Sequence, residues 1–140
     1  MKILYTAEAT ASGGRDGRTR SSDGVVDLPL SVPREMGGAG KPGHSNPEQL
    51  FAAGYAACFE GAVRYVARQH SVAIGEASVT ARVGIGPRDA GGFGLAVELR
   101  VALPGIERSL AQELADEAHA KICPYSHATR GNVEVSVSVV

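Results

Sequence analysis

The chain reads as an α+β protein on three observations. Runs of strand-like alternation stand near both ends and in the middle of the sequence, and two long stretches carry helical spacing. The order of these segments is strands, helix, hairpin, helix, strand, which is not the strict alternation of a doubly wound parallel sheet. With 140 residues the chain is long enough to bury a core of its own, so residues 1–140 are expected to form a single domain. Hydrophobic residues make up 44% and charged residues 21%, values that argue against disorder and against a membrane span.

Residues 3–11 and 25–32 (VVDLPLSV) alternate and predict N-terminal strands, separated by the polar loop SGGRDGRTRSSDG. The segment 33–45, with four glycines and two prolines, predicts a second loop. A helix start follows. Asn46 can cap it, Pro47 suits the first helical position, and Gln49 stands where a capping box puts its reciprocal partner. From Leu50 to about Gln69 the run is alanine-rich, with Leu50, Gly54, Cys58 and Ala62 four apart and Phe51, Tyr55, Phe59 and Val66 beside them, a pattern for a largely buried helix. Residues 77–85 and 93–103 alternate about the turn GPRDAGG and predict an antiparallel hairpin. A second helix over residues 107–122 carries Leu110, Leu114, Ala118 and Ile122 on one stripe and ends at Cys123-Pro124. NVEVSVSVV closes the chain as a strand.

Fourteen basic residues against fifteen acidic ones give a net charge of −1, so nothing draws the chain toward nucleic acid or an anionic membrane. The N-terminal sequence lacks the apolar core of a signal peptide, and the expected compartment is the cytoplasm. In that reducing setting the only two cysteines, Cys58 and Cys123, are not expected to form a lasting structural disulfide. Taken alone, Cys58 among small residues reads first as a buried hydrophobe and second as a reactive thiol. Cys123, beside Pro124 at a helix end, stands where a side chain can be exposed and mobile, a placement that would suit a second, resolving thiol. The glycine-rich segments offer no phosphate loop, and the spacing of His119, Cys123 and His127 by four is interrupted by Pro124, which argues against a zinc site.

GGRDG at 13–17, NPEQLFAAGYAACF at 46–59 and CPYSHATRGN at 123–132, together with RVGIG and GGFGLAVELRV, resemble the organic hydroperoxide resistance proteins, the Ohr branch of the OsmC/Ohr family, over nearly the whole chain. The resemblance implies antiparallel sheets packed around two main helices in an intertwined homodimer. It implies Cys58 as the peroxidatic cysteine, Cys123 as the resolving cysteine that closes a disulfide with it, Arg15 as a catalytic arginine and Glu48 as the carboxylate paired with that arginine. It further implies a thiol-dependent peroxidase acting on organic, including fatty-acid, hydroperoxides. The implied reductant is an external dithiol such as dihydrolipoamide on a lipoylated protein, with no bound cofactor or metal.

The residue types fit that chemistry on physical grounds. A free thiol titrates near about 8.5 and needs a nearby cation to work as thiolate at neutral pH, and arginine keeps its charge while offering donors to both a sulfur and a carboxylate. Glu48 and Cys58 are ten positions apart, about 15 Å along an unbroken helix. If both act on one peroxide, either the helix is broken or Glu48, and Arg15 with it, comes from a second chain whose helix runs antiparallel; a two-fold homodimer with composite sites is expected. Two other readings stay open at this level: an OsmC-type sibling with the same chemistry, and a non-catalytic redox sensor or apolar-ligand carrier.

Overall fold

A computed structural model describes all 140 residues, Met1–Val140, and the chain divides into two compact units, Met1–Leu50 and Phe51–Val140. The first unit is built on an antiparallel sheet of three short strands, β1 (Ala9–Ser12), β2 (Arg18–Ser21) and β3 (Asp27–Pro29), in that order. The expected first strand over residues 3–11 is therefore shifted toward the C-terminus. Ile3, Leu4 and Tyr5 are exposed and lie outside any strand. β2 lies within what composition reads as a loop, because RTRS is held by backbone pairing to both neighbours and not by an apolar face. The strand expected over residues 25–32 shrinks to β3. Its continuation is taken up by a bridge between Leu30 and Ser45 and by hydrogen bonds from Ser45 N to Pro29 O and from Ser31 N to Ser45 O. These bonds fix the residue that leads into the first long helix.

That helix, α1 (Pro47–Gln69), starts as the capping signals predict. The Asn46 side chain accepts from Gln49 N at 2.8 Å, satisfying one of the free amides of the first turn. Gln49 does not reciprocate in the expected way, since its side-chain oxygen instead accepts from the Ser45 hydroxyl. The helix ends through Ser71, which adopts a left-handed φ of 55° while Val72 N bonds back to Ala67 O.

The second unit holds the core. The buried face of α1 in this unit is Tyr55, Phe59, Ala62, Val63, Val66 and Ala67. It shares one apolar cluster with Val97, Leu99 and Val101 and with Ala111, Leu114, Ala115 and Ala118. The hairpin forms as expected, from β4 (Ser78–Pro87) and β5 (Phe93–Ala102), with β5 alternating so that Val97, Leu99 and Val101 point inward. Burying each large apolar side chain of this kind stabilises the fold by about 1.5–3 kcal/mol.

The second helix is shorter than its apolar stripe suggests. α2 (Arg108–Glu117) is capped by the Glu107 carboxylate, which accepts from Ser109 N and Leu110 N, and it passes into a π-helical turn, Ala118–Ile122. A further short helix, α3 (Pro124–Thr129), comes at once after it. The last strand, β6 (Glu134–Val139), pairs with β5 in parallel, so this sheet is mixed where an antiparallel one is expected. The reason is topological: β5 and β6 are joined by a helical crossover, the kind of connection that returns the chain in the same direction, and not by a turn. No helix is long and apolar enough to cross a membrane.

Candidate active site

Within the first unit, GGRDG is the loop of the β1–β2 hairpin, and the pairing of Ser12 with Arg18 encloses residues 13–17. Gly13 has a φ of 74°, where a side chain is strained, and at Gly17 a Cβ would lie 1.7 Å from the Ser12 carbonyl oxygen. Both glycines are therefore dictated by the tightness of the loop. Between them Arg15 and Asp16 sit in a 3-10 turn, and the Asp16 carboxylate accepts from Val32 N at 3.1 Å, tying the loop to the segment after β3. Arg15 reaches Glu48 at the start of α1 and donates through Nη1 to Oε2 and through Nη2 to Oε1, each at 2.8 Å. This is the parallel two-bond geometry in which an arginine recognises a carboxylate best.

The side chain of Glu48 is 12% exposed and that of Arg15 38%. The hydrogen bonds from Arg15 hold the Glu48 carboxyl below its ordinary value of 4.5, outweighing partial burial, which pushes it up. The same bonds raise the Arg15 guanidinium further. The arginine is thus charged, oriented and only partly consumed by its partner, because a guanidinium carries five N–H donors.

Within the second unit, Cys58 on α1 and Cys123 between the π turn and α3 bring their sulfurs to 3.5 Å. Both are free thiols, Cys58 half-buried and Cys123 buried. Cys123 is 1% exposed, so the expectation of an exposed and mobile side chain at this helix end is corrected. The chain does not leave the protein after Pro124 but turns directly into α3, whose Ser126 and Thr129 are also buried and draw Cys123 in with them. The sulfurs are about 1.5 Å beyond bonding distance, a gap that side-chain rotation can close.

Burial pushes the Cys58 thiol above its ordinary value, and the backbone N–H of Tyr125 pulls the other way. Aromatic rings stand around this thiol pair. Tyr125 lies 5.6 Å from Tyr55 and 6.3 Å from Phe51 between ring centres, and Tyr55 lies edge-on to Phe59. At Gly54 a Cβ would come within 3.2 Å of the Tyr125 hydroxyl, so a larger residue there fits only if the exposed Tyr125 ring shifts by a few tenths of an ångström.

Ser126 and Thr129, and the hydrogen bonds they make with Tyr55 and His119, escape a reading based on apolar periodicity. Tyr55 OH lies 2.9 Å from Ser126 Oγ and 3.2 Å from Thr129 Oγ1, and His119 Nδ1 lies 2.8 Å from Ser126 Oγ. The available signal is in the motif itself. In CPYSHAT, Ser126 and Thr129 are three apart and share a face of a helix that starts at the proline. His119 is not gathered with Cys123 and His127 as a ligand set, and no group of three or more His, Cys, Asp or Glu side chains is placed to hold a metal.

The chain matches the profile of the OsmC-like protein family over residues 38–138. It is 57% identical to the organic hydroperoxide resistance protein of Xanthomonas axonopodis pv. citri over 139 residues, covering 99% of this chain and 96% of that one. Among solved structures, OhrB of Bacillus subtilis superposes with a TM-score of 0.90 at 45% identity, covering 99% of this chain and 100% of that one. An organic hydroperoxide resistance protein from Elizabethkingia anophelis gives a TM-score of 0.92 at 50% identity, over 99% and 98% of the two chains. The chain belongs to the OsmC/Ohr family, in its organic hydroperoxide resistance branch.

Proposed function

We propose that the protein protects against peroxides as a thiol-dependent peroxidase that reduces organic hydroperoxides, fatty-acid hydroperoxides among them, to alcohols. The observation that carries the reading is the pair of free thiols 3.5 Å apart, one half-exposed and one buried. A half-exposed thiol can meet a peroxide, and a buried neighbour is shielded from it while remaining in reach of the first sulfur. The names of the relatives, organic hydroperoxide resistance proteins, point to the same substrate class.

In the first step the Cys58 thiolate attacks the outer peroxide oxygen. The O–O bond breaks, the alkoxide leaves and takes a proton to become an alcohol, and Cys58 becomes a sulfenic acid. In the second, the Cys123 sulfur attacks the Cys58 sulfur, the S–S bond forms and the oxygen leaves as water. An external dithiol then reduces the disulfide by two successive exchanges and is itself oxidised to a disulfide. A lipoyl group on a lipoylated protein is the proposed dithiol, and the cytoplasm the proposed compartment.

Burial alone disfavours the Cys58 thiolate, so the chemistry needs a cation, and Arg15 is the candidate. α1 is unbroken from Pro47 to Gln69, which leaves Glu48 and Cys58 about 15 Å apart along its axis. The arginine and glutamate are therefore proposed to serve the cysteine of a second copy in a two-fold homodimer. Ile3, Leu4, Tyr5 and Val25, between 61% and 90% exposed in the single chain, are the apolar surface such a partner would cover.

The test is turnover. With cumene hydroperoxide and dihydrolipoamide in excess, the protein is expected to consume many equivalents of peroxide per chain. Cys58→Ser is expected to consume none above background, and Cys123→Ser one equivalent before stalling or over-oxidising. A Cys58→Ser variant with wild-type turnover overturns the mechanism, and a wild type that stops at one equivalent with reductant present turns the reading to a sensor.

A further inference from the structure

We infer that the buried hydrogen-bonded cluster of Tyr55, Ser126 and Thr129, with His119 at its outer end, is a positioning device that holds the Cys123 sulfur against Cys58 for disulfide closure. The inference rests on the peroxidatic reading of the two cysteines. It adds residues that act through those sulfurs without touching a peroxide.

All four residues are spaced from the cysteines by about one helical turn or two. Tyr55 precedes Cys58 by three residues on α1, so the two share a helix face. Ser126 comes three residues after Cys123, and Thr129 lies one turn further along α3. His119 precedes Cys123 by four residues, within the π turn. One cluster therefore ties the helix carrying one sulfur to the segments on both sides of the other.

Tyr55 and Ser126 are 0% exposed and Thr129 5%, and the apolar core beside them is made of aliphatic and aromatic side chains and the two cysteines. Apolar residues of the same shapes would pack there at no desolvation cost, whereas hydroxyls impose direction as well as contact. The Thr129 hydroxyl is nearer the Tyr125 carbonyl oxygen, at 2.9 Å, than the Tyr55 oxygen, at 3.2 Å. When it donates to that carbonyl, Tyr55 O–H donates to Thr129, Ser126 O–H to Tyr55, and His119 Nδ1–H to Ser126. Every hydroxyl proton is then used once and the chain closes.

The π turn sets the direction of the second sulfur. Cys123 N–H donates to Ala118 O at 2.9 Å, a bond that spans five residues, and the Arg130 guanidinium donates to His119 O at 2.7 Å. A π turn inserts one residue relative to an α-helix, and so rotates the residues beyond it by about 100° about the axis. The direction in which Cys123 points therefore depends on this turn, and His119 and Arg130 pin it from its side chain and its carbonyl. Attack on a sulfenyl sulfur requires approach along the breaking S–O bond, so an error in that direction costs rate directly.

The experiment oxidises full-length protein with one equivalent of cumene hydroperoxide in the presence of dimedone. Mass spectrometry then reads the partition between the Cys58 dimedone adduct, which traps the sulfenic acid, and the Cys58–Cys123 disulfide. In the wild type the disulfide is expected to dominate. Tyr55→Phe and Thr129→Val, which delete hydroxyls and keep shape, are expected to slow closure roughly tenfold, the scale of one lost buried hydrogen bond, and to raise the adduct fraction accordingly. Thr129→Ser, which keeps the hydroxyl, is expected to restore the wild-type partition. His119→Ala, at a half-exposed position where folding is least at risk, is expected to move it in the same direction by less.

An adduct fraction equal to wild type in both hydroxyl deletions overturns the inference, as does an equal rise in Thr129→Ser, which would mark general loosening. A wild type that forms neither adduct nor disulfide instead overturns the underlying peroxidase reading.

Discussion

Protonating Glu48 should uncouple it from Arg15, and the size of that effect can be worked from the geometry. Two charge-assisted hydrogen bonds at 2.8 Å, each worth about 1.5–3 kcal/mol when buried, set an upper bound of about 6 kcal/mol. The arginine side chain is 38% exposed, and solvent screening brings the pair to about 1 kcal/mol. Glu48 also lies in the first turn of α1, where a negative charge contributes about a further 0.5 kcal/mol. Glu48→Gln is therefore expected to cost about 1–1.5 kcal/mol at pH 7. A chain of 140 residues loses about 3 °C of melting temperature per kcal/mol, so the fall should be roughly 3–5 °C.

A double-mutant cycle with Arg15→Met, read by thermal unfolding at one fixed protein concentration, isolates the pair and should return a coupling of about 1 kcal/mol. The pH dependence has a definite sign. The folded carboxyl is held below 4.5, so as pH falls the unfolded chain takes up this proton first. The coupling is thus fully present above about pH 5 and disappears as pH drops through the folded value. A coupling below about 0.3 kcal/mol at pH 7, or one unchanged at pH 3, would refute the reasoning.

Gly17→Ala should open the Arg15 loop, since its Cβ would meet the Ser12 carbonyl oxygen at 1.7 Å, and a loss of at least about 2 kcal/mol in urea unfolding is expected, with an unchanged midpoint counting against it. Leu99→Ala, at a fully buried position on β5, should cost about 2–5 kcal/mol, checked by the same unfolding curve. Arg15→Met should move the pH midpoint of Cys58 alkylation by iodoacetamide upward, because burial then raises the thiol with only the Tyr125 amide opposing it, and an unmoved midpoint would show that Arg15 does not serve the cysteine.

Helix α1 was legible because its start is written in local chemistry. Asn46 and Pro47 act within one turn, and a run of about twenty residues of compatible spacing extends from them. The hairpin was legible because β5 has one buried face, which stamps alternation on the sequence. The N-terminal sheet leaves no such imprint: β1 is exposed along its whole length, so backbone pairing and the ion pairs of Asp27 with Arg18 and Arg20, not an apolar face, place its strands, and the apolar residues 3–5 mislead.

The π turn was hidden for a different reason. Ala118 and Ile122 continue the stripe of α2, and the turn is set by the Cys123 N–H to Ala118 O bond and by the bonds of His119 to Ser126 and Arg130, none of which periodicity records. The chemistry divides in the same way. Arg15 with Glu48, and Cys58 with Cys123, are separated by 33 and 65 positions, distances over which periodicity says nothing. Only the match of whole motifs to a family pairs them on paper. The orientation of β6 was beyond both kinds of signal, since its alternation is the same whether it runs parallel or antiparallel to β5.

That parallel strand has a consequence for the order in which the molecule is assembled. Cys123 lies inside the crossover between β5 and β6, and a crossover is anchored at its far end only when its last strand docks. Cys58 and Cys123 are 65 positions apart, so Cys58 leaves the ribosome well before the segment that packs beside it, and that segment is held on its far side by the pairing of β6 with β5. On the proposed peroxidase reading, Cys58 therefore has its resolving thiol in place only after that crossover has packed against β5.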